Sequence, residues 1–240
     1  MIRANQGILA GAIAVAAMVG VAGGAQAGGY AYDSGPAASG RTMWEGTHFG
    51  GHIGWAGADY SANPDEGALS LTNGLGDGDG FAGGFLYGAS LQFDNWVLGT
   101  DSVWTFGDNG GNTATTASGL TLSTDINFMD EARGRIGYLV MPNVLAYGAL
   151  GIAFADVDIN GSVLAGNGDS KGFVGFTYGG GAEAMFGDRW FARVEYSHID
   201  FGDEHIAAAN GGTYKVDLDT DAVRAAVGYR FDWSPLDLLR

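Results

Sequence analysis

From Trp44 to Phe231 the chain alternates apolar with small or polar residues, over and over, in runs of about ten residues or more. A period of two belongs to a β-strand, where successive side chains leave opposite faces. Phe49, Gly51, Ile53 and Trp55 form one face of the first run, and His48, Gly50, His52 and Gly54 form the other. No stretch after Ala27 stays apolar for the roughly 20 residues that a membrane helix requires. Only helices and closed barrels satisfy their backbone within a bilayer, so a chain of this pattern can span a membrane only as a closed barrel.

The runs are separated by connections that are long, then short, then long. The alternation predicts strands over Gly46 to Ala58, Gly80 to Phe93, Trp96 to Phe106, Leu120 to Tyr138, Val144 to Val157, Gly172 to Phe186, Arg189 to Phe201 and Asp217 to Phe231. Tight turns are expected at Asp94-Asn95, Met141-Pro142-Asn143 and Gly187-Asp188, with long Gly-, Asn- and Thr-rich loops at the other end. Each run is long enough to cross the hydrocarbon when tilted by about 45°. The expected fold is therefore all-β: a single antiparallel up-and-down transmembrane β-barrel of about eight strands, with short periplasmic turns and long extracellular loops. A soluble β-sandwich is the competing architecture, but its connections need not alternate in length.

Residues 1–27 read as a signal peptide: Arg3 supplies positive charge, Ile8 to Val21 is apolar, and Ala25-Gln26-Ala27 is a small-x-small cleavage pattern. Residues 28–43 read as a flexible leader, 44–231 as the barrel, and 232–240 as a periplasmic tail. The expected location is the outer membrane. A net charge of -16 with only 11 Lys and Arg argues against nucleic acid as a partner, because a phosphate backbone would be repelled. The chain contains 0 Cys, so neither disulfides nor a lipidated Cys enter the fold.

Splitting each strand into faces puts Asp101, Glu131, Arg133, Arg135, Glu183, Arg193, Glu195, Arg224 and Arg230 inside, which is four acids and five arginines. Eight strands enclose a space that side chains just fill, so these charges are expected to pair and stopper the lumen. Trp44, Trp55, Trp96, Trp104, Trp190, Tyr138 and Tyr229 fall near strand ends, where amphipathic rings form the girdles of a membrane barrel. Asp65, Glu66, Asp77, Asp79, Asp108, Asp158, Asp169, Asp203 and Glu204 read as loop acids. Among them Gly76-Asp77-Gly78-Asp79-Gly80 is the best candidate for an oxygen-ligand loop bridging a divalent cation to lipopolysaccharide, although it lacks a complete calcium-loop pattern.

No constellation points to catalysis or a cofactor. Ser197 and His198 are adjacent in a strand and so leave opposite faces, while His48 and His52 share a face but stand four strand residues apart. His198 and His205 read as rim or loop residues. No metal site is expected.

Trp96-Val97-Leu98-Gly99, Arg133-Gly134-Arg135-Ile136-Gly137-Tyr138, Gly179-Gly180-Gly181-Ala182-Glu183, Asp188-Arg189-Trp190, Arg193-Val194-Glu195-Tyr196 and Val227-Gly228-Tyr229-Arg230-Phe231 follow one another in an order that resembles the OmpA-like/Omp25-like outer-membrane β-barrel proteins of alphaproteobacteria, often labelled the porin family. The resemblance covers about Trp44 to Phe231. It implies a structural protein or a surface-interaction factor, with a small passive porin as the alternative and a lipid-modifying enzyme as a distant one. The implied partners are outer-membrane lipid and lipopolysaccharide, the outer-membrane assembly machinery, and an extracellular ligand bound through the loops. The resemblance also implies an assembly signal in the aromatic last strand, at Tyr229 and Phe231. The tail after Phe231 departs from that pattern.

Overall fold

The structure is a computed structural model, and it describes residues 42–232 apart from 66, 74, 108–112, 165 and 167. The signal peptide, the leader before residue 42 and the tail beyond residue 232 lie outside the described residues. Nine strands follow in order: β1 (Gly46–Asp65), β2 (Gly76–Phe93), β3 (Trp96–Gly107), β4 (Ala114–Thr115), β5 (Thr121–Met141), β6 (Val144–Asn160), β7 (Gly168–Phe186), β8 (Trp190–Ala207) and β9 (Thr213–Phe231). All pairings are antiparallel, running β3-β2-β1-β9-β8-β7-β6-β5, and β3 pairs with β5 to complete the ring. The two-residue β4 only borders β5. Eight long strands therefore close on themselves, and the first meets the last along nineteen registered positions from Thr47↔Phe231 to Asp65↔Thr213.

The tight turns sit where the sequence puts them. Asp94 adopts a left-handed φ of 52° and Gly187 one of 59°, each reversing the chain between neighbouring strands. At the opposite end the longer connections fold back over the barrel mouth. Leu71 bridges Thr116 and Leu164 bridges Ala208, while the Tyr214 hydroxyl donates to the Leu69 carbonyl at 2.9 Å.

The strands reach further toward this end than the alternation of apolar outer faces predicts. β1 continues to Asp65 rather than Ala58, β2 begins at Gly76 rather than Gly80, β6 ends at Asn160 rather than Val157, and β7 begins at Gly168 rather than Gly172. β8 runs to Ala207 rather than Phe201, and β9 begins at Thr213 rather than Asp217. The physical reason is that the two faces exchange chemistry part-way up each strand. In β9, Arg224, Ala226, Gly228 and Arg230 are buried inside while Val227 is 52% exposed. Higher up, the inward residues are Tyr214, Val216 and Leu218, all at most 1% exposed, and the outward ones are Lys215, Asp217, Asp219 and Asp221. β6 does the same: Leu150, Ile152 and Phe154 face outward below Asp156 and Asp158, with Ala153, Ala155, Val157 and Ile159 buried behind them.

Below the exchange the barrel is apolar outside, as hydrocarbon requires. Above it the barrel is polar outside and apolar inside, as water requires. The upper interior is one hydrophobic cluster that includes Tyr60, Leu75, Leu122, Ile126, Met129, Ile159, Phe173, Ile199, Ile206, Tyr214 and Leu218. From Trp55 to Asp65, β1 climbs about 33 Å of strand, so this closed upper barrel stands well clear of the bilayer surface.

Several acids read as loop residues are corrected accordingly. Asp65, Asp79, Asp158, Asp203 and Glu204 lie in strands, as do positions 77 and 169, whereas Glu66 and Asp108 fall outside the described residues. Gly76 to Gly80 is not a loop at all but strand, paired residue by residue with Tyr60 to Ala56. An extended strand cannot wrap its oxygens around one ion, and the Asp79 carboxylate accepts a hydrogen bond from Trp55 Nε1 at 3.1 Å.

Candidate functional site

The lower, membrane-spanning part of the barrel is bounded by two rings of outward aromatics. Trp96, Tyr138, Trp190 and Phe231 ring the turn end, and Trp55, Trp104, Phe106 and Phe154 ring the upper edge, all more than 40% exposed. Trp96 and Trp104 are eight residues apart, about 27 Å along the strand, and this tilted span matches a hydrocarbon core. Tyr229 faces outward in the lower ring and packs edge-on against Trp190 at 5.4 Å and Phe231 at 5.1 Å.

Trp44 is not part of that ring. It is 0% exposed, because the segment preceding β1 turns into the barrel mouth rather than along its outside. Its Nε1 donates to the Pro142 carbonyl at 3.1 Å, and its own carbonyl accepts from Ser90 Oγ at 2.7 Å and Arg230 Nη1 at 3.0 Å. The indole lies 5.3 Å from the Arg230 guanidinium. Position relative to a strand end cannot separate a girdle ring from a plug, since both sit at the same height.

Between Trp44 and the upper hydrophobic cluster lies a layer of charge. All nine residues assigned to the inner face by alternation are at most 5% exposed. Glu131, Arg133 and Arg135 line up on β5 because residues two apart share a face. Asp101 comes from β3, Glu183 from β7, Arg193 and Glu195 from β8, and Arg224 and Arg230 from β9.

Each carboxylate is shared by several guanidinium groups. Arg133 forks onto Glu195, with Nη1 to Oε1 at 2.8 Å and Nη2 to Oε2 at 3.0 Å, and the Tyr147 hydroxyl adds 2.6 Å to Oε2. Arg224 donates to Glu131 and, at 3.3 Å, to Glu195. The Thr177 hydroxyl donates to Glu131 at 2.7 Å. Glu183 gathers three arginines: Arg135 at 3.1 Å, Arg193 at 2.9 and 2.7 Å, and Arg230 at 2.7 Å. Asp101 takes Arg193 at 2.8 Å and meets His48 Nε2 at 2.8 Å. Arginine suits this arrangement because its planar fork serves two acceptors while remaining charged.

A buried network of this kind is not evidence of extra stability, since well-packed apolar residues would serve as well. It does set paired side chains across the middle of the lumen. Sequence reasoning placed the nine charges but gave no part to Tyr147, Thr177, Ser90 or His48. Each sits on an inward position of its strand, so the same period of two marks them. His52, also inward, has Nε2 3.1 Å from the Trp104 carbonyl.

The candidate Ser197 and His198 are not brought together. Ser197 is buried inside, whereas His198 faces outward and pairs with Asp221 at 2.9 Å. His205 is a rim residue of β8, 3.5 Å from Asp65. Among the described residues no group of three or more His, Cys, Asp or Glu is placed to hold a metal ion.

The model of the outer membrane protein beta-barrel domain matches residues 8–231. The 25 kDa outer-membrane immunogenic protein of Brucella canis is 32% identical over 153 residues, which cover 59% of this chain and 68% of that protein. The 22 kDa outer membrane protein of Rhizobium leguminosarum bv. viciae is 28% identical over 152 residues, covering 63% and 67%. Among solved structures, OprG of Pseudomonas aeruginosa is similar at 12% identity and a TM-score of 0.46, over 79% of this chain and 99% of that one. With eight long strands closed into a ring, an apolar belt bounded by aromatic rings and a family match over most of its length, the chain belongs to the outer membrane protein β-barrel domain family and resides in the outer membrane.

Proposed function

We propose that this barrel is a non-conducting structural and surface-interaction protein: a membrane anchor that raises a rigid, capped stalk above the outer leaflet. The observation that carries the reading is that the interior is filled at three successive heights. Trp44 with Leu145, Met185 and Phe191 fills the periplasmic end, the Arg, Glu and Asp network fills the middle, and the apolar cluster around Tyr214 and Leu218 fills the top. A passive pore needs a continuous wet path, and side chains set across the lumen at three heights argue against one.

The same filling supports a non-enzymatic role, because among the described residues the inner face is occupied by the barrel's own side chains. The relatives named immunogenic support exposure of the capped end to extracellular partners. We assign outer-membrane lipid and lipopolysaccharide to the outer belt, and recognition by the assembly machinery to Tyr229 and Phe231, which face outward at the end of the last strand.

The test is solute entry into proteoliposomes reconstituted with the refolded mature protein. Swelling in a pentose or an amino acid should not exceed that of protein-free vesicles. Swelling at the rate of a small general porin would overturn the proposal in favour of a passive channel.

A further inference from the structure

The outer surface of the membrane belt carries many large apolar side chains, and over β2, β3 and β5 small residues interrupt them. There Ala89, Thr100, Ser102, Ala132 and Gly134 leave a groove of about 470 Å³, within the roughly 300–1,000 Å³ of ordinary ligand pockets. Its walls are tall. Tyr87, Trp104, Ile136, Leu150 and Ile152 stand around it, each more than 40% exposed. The cross-strand register fixes its direction. Ala89, Thr100 and Gly134 lie in one row, and Tyr87, Ser102 and Ala132 lie in the next row toward the upper ring. The row above that holds Trp104 and Asp130. The groove thus descends from the upper aromatic ring toward the middle of the bilayer.

Asp130 sits at the upper end of this groove. It leaves β5 on the outer face, between the inward Met129 and Glu131, and Phe106 and Phe128 meet above it with ring centroids 5.2 Å apart. Its Oδ1 accepts from Ser102 Oγ at 2.9 Å, and among the described residues Oδ2 accepts no hydrogen bond. An ionised carboxylate can only accept. A lipid-facing acid is tolerated near the interface, where its cost is small, but at that depth it selects neighbours that carry a donor. An ionisable residue facing into a membrane marks a functional site by default.

We propose that this groove seats one acyl chain of an outer-leaflet lipid, and that Asp130 selects a lipid bearing an amide N–H or a hydroxyl next to its headgroup. The occupant follows from the location. The groove faces the hydrocarbon between the two aromatic rings, it runs along the direction in which a lipid chain lies, and the Asp130 carboxylate stands at its upper end, toward headgroup height. A glycerol-ester phospholipid has no donor in its ester region, whereas an amide-acylated glucosamine lipid has both N–H and hydroxyl donors there. The proposal concerns the outer face and is independent of whether the lumen conducts.

Gly134 gives a clean test. A Cβ placed there finds its nearest heavy atom, the Leu150 carbonyl oxygen, at 4.0 Å, so Gly134→Leu fills the groove without disturbing the sheet. Wild type, Gly134→Leu and Asp130→Asn are refolded into vesicles of phosphatidylethanolamine containing a few per cent of an amide-acylated glucosamine disaccharide lipid. Folding is checked by the heat-dependent gel shift, and retained lipid is counted by native mass spectrometry. Wild type should retain one amide-acylated lipid per barrel. Gly134→Leu should retain at least tenfold less, and Asp130→Asn should still hold a chain but lose the preference over phosphatidylethanolamine. Equal retention by wild type and Gly134→Leu would overturn the groove as a seat, and absence of lipid preference in wild type would overturn the role of Asp130. A wild-type dimer that Gly134→Leu converts to monomer would assign the groove to a second copy of the chain instead.

Discussion

Glu183 is the position at which the closed lumen can be challenged most sharply. Its carboxylate is fully buried and accepts from three arginines, Arg135 at 3.1 Å, Arg193 at 2.9 and 2.7 Å, and Arg230 at 2.7 Å. The layer holds four carboxylates against five guanidinium groups, a balance of +1 among these nine side chains, and Glu183→Ala raises it to +2, leaving Arg135 and Arg193 to share Asp101 and Arg230 without a carboxylate. Removing one partner of a buried pair costs about 3–5 kcal/mol because the remaining charge is left uncompensated. Glu183 serves three partners, so the upper end of that range is expected. Restoring the balance with Glu183→Ala plus Arg230→Met should recover part of the loss, since the two sites are directly coupled. The assay is the urea midpoint of the refolded barrel in lipid vesicles, followed by the gel shift of folded against unfolded protein. A loss below about 1 kcal/mol would place the pair in the range of solvent-screened ion pairs; the lumen would then be wet and the reasoning refuted.

Trp44→Ala should cost about 3–5 kcal/mol, the usual range for an emptied aromatic core site, whereas Trp190→Ala, at a position 49% exposed, should cost clearly less in the same unfolding assay. Gly88→Ala should lower the folded fraction steeply, because its Cβ would lie 2.1 Å from the Thr100 carbonyl and 2.6 Å from Asp101 Oδ1; Gly134→Ala, with 4.0 Å of clearance, should refold like wild type. Asp219 stands above the membrane belt on β9, where partial burial and then the facing Asp200 raise its carboxyl above the ordinary carboxylate range. A raised folded-state value means that stability is fully present below the unfolded value and is lost as pH rises through the folded one. Asp219→Asn should therefore gain stability over wild type at neutral pH and show little gain in acid, measured by thermal unfolding across that range.

How much of this was legible beforehand depends on which half of the barrel is considered. Eight strands, their order and all three tight turns follow from the period of two and from Asp94-Asn95, Pro142-Asn143 and Gly187, because local turn chemistry and side-chain alternation need no tertiary information. The upper strand ends do not follow as easily. In β9 the reading that apolar means outward holds from Val223 to Phe231 but inverts at Leu218, Val216 and Tyr214, so the pattern breaks where only the strand's surroundings change. The inversion is visible in the sequence once a second solvent is allowed for: Lys215, Asp217, Asp219 and Asp221 alternate as regularly as the valines below them. The side of the sheet on which each charged residue sits is likewise a matter of parity, but which arginine meets which acid is not. Arg230 and Glu183 are 47 residues apart and meet across β8, which lies between their strands. Trp44 was misread because height along the barrel is encoded locally, whereas the choice between entering the mouth and lying along the rim is made by Pro142, Ser90 and Arg230, three contacts from three different hairpins.

The most direct test of a lumen filled from end to end is the single-channel conductance of the refolded mature protein in planar bilayers, recorded beside a variant carrying Arg133→Ala and Glu183→Ala. The account predicts no conductance steps from the wild-type barrel across the applied voltages. Reproducible wild-type steps whose size or ion selectivity changes in the variant would contradict it, and would make the charged layer the lining of a pore.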